Sequence, residues 1–116
     1  MKEFALFFKS DPAARQDRPS PEQLQHSIKP WQDWLGSLAA QNKLAKEGTR
    51  LKPEVRVVKS DKSVLNGPFA EIKETIGGFI IVRAGDFEEA VEMARQCPVL
   101  LAPWHGSVEV RMVNSE

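Results

Sequence analysis

The side chains best suited to acid-base or anion chemistry gather near the end of the sequence, where Glu109 and Arg111 stand two apart in the run Ser107-Val108-Glu109-Val110-Arg111. Alternate residues of a strand share a face, so these two project together, away from Val108, Val110 and Met112. A guanidinium placed there can hold a carboxylate or phosphate, while the carboxylate beside it orients the ligand or takes a proton from it. The same spacing also suits a plain ion pair on a partly wet sheet, worth little when exposed. His105 stands just upstream in the loop Pro103-Trp104-His105-Gly106, and histidine is the side chain whose ordinary pKa lies nearest neutrality. His105 and Glu109 are therefore the candidate catalytic groups, with Arg111 and Trp104 as candidate ligand-binding groups. The second histidine, His26, precedes Asp33 by two turns of a helix, where the pair lines one groove or faces water.

The three tryptophans add flat surfaces. Trp31 falls on an apolar helical stripe and reads as core, whereas Trp34 at the stripe's edge and Trp104 in the loop are placed to wall a pocket for an apolar or aromatic ligand. Packing between subunits would use both equally well. Cys97, the sole cysteine, stands beside Pro98 at an apolar position and reads as a small buried hydrophobe rather than a nucleophile. One cysteine and two widely separated histidines make no metal-spaced cluster, so neither a metal nor another cofactor is expected.

Several elements must position these groups. Phe4-Ala5-Leu6-Phe7-Phe8 is apolar on both faces, as a central strand would be. Ser10 to Pro19 is polar and reads as a surface loop. Ser20-Pro21-Glu22-Gln23 places a hydroxyl cap, a first-turn proline and a glutamine at capping-box spacing. Leu24, Ile28, Trp31, Leu35 and Leu38 then predict a helix to about Gln41, with a kink near Gln25 to Lys29 ahead of Pro30. Lys43 to Val58 turns extended, and Val55 to Val58, Ser60-Asp61-Lys62 and Ser63 to Leu65 read as a hairpin. Gly77-Gly78 opens a strand through Arg83. Asp86-Phe87-Glu88-Glu89 caps a second helix with Phe87, Ala90, Val91, Ala94 and Cys97 on its apolar face, stopped by Pro98. A strand from Ser107 to Val113 closes the chain.

The segment Asn66-Gly67-Pro68-Phe69-Ala70-Glu71-Ile72-Lys73-Glu74-Thr75-Ile76-Gly77-Gly78, running into Phe79-Ile80-Ile81-Val82, resembles the signature of the YCII-related proteins, specifically the branch named for a DGPF tetrapeptide. The resemblance extends from the Met1 to Asp11 strand to the Gly106-to-Arg111 ending, which is similar to the family's G-x-V-E-V-R-P strand. Asn66 stands where the branch has Asp, keeping a turn former but removing a carboxylate. Lys73 and Glu71 match the family's E-x-K-E. Asn66 and Lys73 accordingly join Trp34 and His26 as candidate ligand contacts; an ion-paired turn is the other reading of this loop.

The order strand, helix, hairpin strands, strand, helix, strand predicts a single α+β domain over residues 1–116, a ferredoxin-like antiparallel sheet with both helices on one face. Two helices leave the other face uncovered, and a second copy of the sheet is the simplest cover. The resemblance implies the same homodimer, since YCII-like proteins belong to the dimeric α/β barrel superfamily, with small pockets between or beside the sheets. It implies a small organic ligand and acid-base chemistry, or else, because the DGPF branch is associated with alternative sigma factors, an accessory protein acting through protein contacts.

Composition narrows the partners. Sixteen basic and sixteen acidic residues cancel, leaving no global field for nucleic acid or an anionic membrane. Between Lys43 and Lys62 seven basic residues face three acidic ones, yet no aromatic side chain stands there to stack a base, which favours a solvated hairpin over an RNA site. No run is long enough to span a bilayer or serve as a signal. A cytoplasmic protein is the expectation.

Overall fold

The computed structural model describes residues 1–10, 21–52, 54–67, 75–101 and 104–114, with backbone alone for 21–27, 47, 67 and 75. Strand β1 (Lys2–Ser10) is followed by helix α1 (Pro21–Ala40), strand β2 (Leu44–Arg50), the short strands β3 (Val55–Val58) and β4 (Val64–Gly67), strand β5 (Thr75–Ala84), helix α2 (Phe87–Arg95), a 3-10 turn (Pro98–Leu100) and strand β6 (Ser107–Met112). The main sheet has the order β2-β5-β1-β6, and every pairing in it is antiparallel. With β3 and β4 set aside, this is the ferredoxin-like order, in which β1 and β5 are central. The all-apolar Phe4 to Phe8 run occupies the place such a run requires.

Register assigns the two faces. Phe4, Leu6 and Phe8 stand opposite Met112, Val110 and Val108 on β6, while Phe4 and Leu6 stand opposite Val82 and Ile80 on β5. These even-numbered positions of β1 point at the helices, where Trp34, Leu38, Ala90, Met93, Ala94, Cys97 and Val99 complete the core. Ala5, Phe7 and Lys9 project from the other side, opposite Arg111, Glu109 and Ser107, with Ile81 and Phe79 beside Ala5 and Phe7. Both helices thus lie on one face, and among the described residues no helix covers the other, whose apolar centre of Ala5, Phe7, Phe79 and Ile81 is bordered by charged side chains.

Local chemistry explains the helices. Asp86 Oδ1 accepts from the Glu89 amide at 2.8 Å, capping α2, and Glu89 Oε2 accepts from the Gly85 amide at 3.2 Å. Such reciprocal bonds satisfy backbone donors that a helix start otherwise orphans. On α2 Met93 is buried with Ala90 and Ala94, whereas Phe87 is 39% exposed, its ring resting edge-on against Phe4 at 5.3 Å. Met93 replaces Phe87 as the deeper anchor because the first residue of a helix lies at the margin of the sheet. Helix α1 contains Pro30 without ending there; its expected Ser20 cap falls outside the described residues.

Two expectations along the chain need correction. Trp34 is 7% exposed and donates from Nε1 to the buried Met93 carbonyl at 3.1 Å, so it is the core tryptophan, and Trp31 is the half-buried one. Ile28, placed on the stripe by spacing, is 41% exposed. Leu38 is buried as the stripe requires and Trp31 and Leu35 pack at its flank, but Trp34 joins it at the centre because its indole N–H finds a carbonyl on α2, which lets the residue go deeper than a purely apolar count predicts. Secondly, Asn66 is not a turn residue. It pairs with Arg56 inside the β3–β4 ladder, and the described positive-φ residues are Asn42, Lys62 and His105. The hairpin already turns at Lys59 to Ser63, where the Lys59 amide donates to the Ser63 carbonyl and Asp61 accepts from the Ser63 amide and hydroxyl.

Candidate functional site

Glu109 and Arg111 share the uncovered face of the sheet as their spacing requires, but they do not form the ion pair that spacing suggests. Glu109 stands directly opposite Phe7, and its Oε1 accepts from Lys9 Nζ at 2.8 Å. On an antiparallel pair the diagonal neighbour two residues away lies within reach of a long side chain. Lys9 takes that place because it lies one alternation beyond Phe7 on β1. The bond to Lys9, joined by the charges of Lys9 and then Arg111, holds the Glu109 carboxyl below its ordinary range. Arg111 is exposed, and no carboxylate among the described residues lies within ion-pair distance of it.

The upstream loop is built to deliver β6 to this place. After the 3-10 turn the amides of Trp104 and His105 both donate to the Leu101 carbonyl, at 3.0 and 2.9 Å, and the Gly106 amide donates to the Val99 carbonyl at 2.7 Å. His105 sits at φ 43°, a left-handed conformation that costs a residue with a Cβ roughly 1–2 kcal/mol. Gly106 is then required, since a Cβ there would run into the Lys9 carbonyl. The loop is thereby pinned against the end of β1 that carries Lys9. The His105 side chain is exposed beside it.

Trp104 is half-buried, its ring perpendicular to that of Trp31 at 5.9 Å. Trp31 also meets Phe8 at 5.0 Å and Trp34 at 5.9 Å. Edge-to-face stacking of this kind adds about 0.5–1.5 kcal/mol per pair beyond burial. This aromatic cluster lies on the helix side of β1, because Phe8 points there, while Lys9, Glu109 and Arg111 occupy the other side. Trp104 therefore packs on the helix side at the end of the sheet, and His105, next in the chain, is exposed there.

The remaining sequence candidates do not join Lys9, Glu109 and Arg111 on the other face. Trp34 is enclosed in the core, and Asn66 lies on the hairpin. His26 lies on α1 with only its backbone described, and Lys73 falls outside the described residues together with Glu71, Glu74 and the Pro68 to Glu74 signature loop. Lys9 is the residue that sequence reasoning missed. Its signal was available, since it continues the odd-numbered face of Ala5 and Phe7, but its partner is fixed only by the pairing of β1 with β6. Cys97 is 1% exposed, and burial pushes its thiol up to about 12, which makes it inert as a nucleophile. Among the described residues no three ligating side chains converge on a metal site, and no helix is long and apolar enough to cross a membrane.

Comparison with known proteins agrees with this architecture. The profile of the YCII-related domain matches residues 3–115. No curated protein matches the chain in sequence. Among solved structures, 5-chloro-2-hydroxyhydroquinone dehydrochlorinase (TftG) from Burkholderia phenoliruptrix AC1100, in complex with 2,5-dihydroxybenzoquinone, superposes with a TM-score of 0.56 at 17% identity, covering 98% of this chain and 95% of that one. At that identity the likeness is one of fold.

Proposed function

Since the chain belongs to the YCII-related family, we propose that it binds a small organic anion on the uncovered face of its sheet, within a pocket completed by a second copy in a homodimer. The observation that carries this reading is the division of labour among three charges. Lys9 neutralises Glu109 at 2.8 Å, and Arg111 keeps its guanidinium without an ion pair among the described residues. A guanidinium offers a fork of donors suited to a carboxylate or an ionised hydroxyl pair. Phe7, Phe79 and Ile81 beside it supply apolar surface for a flat ring, and Phe7 and Phe79 already meet at 5.9 Å.

Glu109 serves this ligand by orienting it and by steadying Lys9. The bond that holds its carboxyl ionised also lowers its basicity, which disfavours proton abstraction. If a proton is transferred, His105, exposed at the rim next to Trp104, is the group of suitable chemistry. The neighbouring fold that carries 2,5-dihydroxybenzoquinone supports a planar, acidic, oxygen-rich ligand class for the pocket.

Titration calorimetry with 2,5-dihydroxybenzoquinone and with benzoate tests the proposal. Saturable binding of either probe to the wild type is expected, weakened at least tenfold in Arg111→Ala and less in Arg111→Lys, which keeps the charge but loses the fork. Absence of saturable binding of both probes to the wild type, or equal affinity in Arg111→Ala, would overturn it.

A further inference from the structure

The uncovered face is built of rows that cross all four strands of the main sheet. Lys46 on β2 stands opposite Ile81, Ile81 opposite Ala5, and Ala5 opposite Arg111. Directly opposed residues of antiparallel strands project to the same side, so this row has a cation at each end and apolar side chains between them. Ala5 carries a single methyl there, and the row dips between Ile81 and Arg111. The next row runs Thr49, Phe79, Phe7 and Glu109. Its two rings, 5.9 Å apart, stand beside the dip.

The other described cations of this face are already engaged. Lys9 bonds to Glu109 at 2.8 Å, and Arg83 turns toward β2, donating to the Asn42 and Leu44 carbonyls at 3.4 Å each. Lys46 and Arg111 are exposed, and among the described residues neither has a carboxylate within ion-pair distance. With Glu3 opposite Arg83, the described side chains of the face comprise the cations Lys9, Lys46, Arg83 and Arg111 against the carboxylates Glu3 and Glu109. A singly charged ligand leaves half of that excess uncompensated.

Distance sets the shape of the ligand. Three strand spacings separate Lys46 from Arg111, about 14 Å between their backbones. Long side chains leaning in from both ends leave between them the length of one ring with an acidic group at either edge. We infer that the uncovered face selects a planar dianion whose acidic groups lie on opposite edges of a ring, Arg111 holding one group and Lys46 the other. This rests on the ligand-binding reading above and adds the second anchor and the charge class of the ligand. The ring lies over Ala5 and Ile81 with Phe7 and Phe79 alongside. Arg111 fixes direction through its rigid fork, and Lys46, a compact charge on a flexible stem, accommodates differences in length.

Calorimetry on the full chain with benzoate, terephthalate and phthalate tests the inference, because the last two carry the same charge in different places. Terephthalate, with carboxylates on opposite edges, is expected to bind about tenfold tighter than benzoate or phthalate, the gain of one further charge-assisted contact. Lys46→Gln should erase that gain. Arg95→Gln, which removes an exposed charge from α2 on the covered face, should preserve it. Phthalate bound as tightly as terephthalate, or an equal loss in Arg95→Gln, would reduce the effect to net charge and overturn the inference. Benzoate binding that depends on Arg111, together with terephthalate binding equally to the wild type and to Lys46→Gln, would overturn the second anchor while leaving the reading above in place. Absence of saturable binding of all three probes would overturn the inference as well.

Discussion

The pair of Lys9 with Glu109 sets the electrostatic character of the uncovered face. The ordinary carboxyl value of Glu109 is 4.5, and the lysine hydrogen bond holds it lower in the folded chain. A carboxyl whose folded pKa lies below its unfolded one contributes stability that is fully present above the unfolded value and is lost as pH falls through the folded value. Glu89, bonded to Lys43, and Asp61, bonded to Ser63, are shifted in the same direction, so acid should loosen three places together. Replacing the lysine in Lys9→Met should move the Glu109 titration midpoint back up toward 4.5, read by NMR at the side-chain carboxyl carbon; an unmoved midpoint would mean that Lys9 is not the cause. In that variant Glu109 is also freed to approach Arg111, so the anion probe should bind less well.

At the scale of elements, the register of β6 decides whether the site exists. β6 is an edge strand held on one side by β1, and its entry is fixed by the bonds from Trp104, His105 and Gly106 to the carbonyls at Leu101 and Val99. Gly106 is the tightest of these contacts. Its added Cβ would strike the Lys9 carbonyl and approach Val99 Cγ2 to 3.2 Å, and forced overpacking of this sort costs about 1–3 kcal/mol. Gly106→Ala should therefore lower the urea midpoint accordingly and, because β6 must shift to relieve the clash, speed amide exchange along Ser107 to Arg111 more than along β5. Uniform loss of protection across the sheet would argue that the loop does not control the strand. The aromatic cluster at Trp31 and Trp104 lies immediately behind this entry and braces it from the helix side.

For the whole molecule, the two faces of one sheet have different fates. The helix face is filled by α1, α2 and the 3-10 turn, while the opposite face carries Ala5, Phe7, Phe79 and Ile81 between charged rims. Ala5 is already buried and Phe7, Phe79 and Ile81 are half-buried, so in the proposed dimer only their remaining exposed area adds to stability. Phe79→Asp places a charge in that face without touching the core. It should give a folded monomer with unchanged far-ultraviolet circular dichroism and no dimer by sedimentation; a dimer of wild-type strength would place the interface elsewhere.

Much of this plan is written in local patterns. The apolar run Phe4 to Phe8, the alternation of β6, the Asp86 cap and the order of elements all follow from neighbours a few residues apart, because strand alternation and helix capping are short-range physics. The YCII resemblance and the ferredoxin-like sheet were legible from those patterns, as was the placing of Glu109 and Arg111 on one face. What only the tertiary structure decided depends on contacts between distant segments. Lys9 claims Glu109 across 100 positions because β1 and β6 pair in one register. Trp34 goes deeper than Trp31 because a carbonyl on α2 awaits its indole. Asn66 lies in a ladder because the hairpin turns earlier, at Lys59 to Ser63. Local sequence specifies which groups can do the chemistry, and the pairing of remote strands specifies which of them meet.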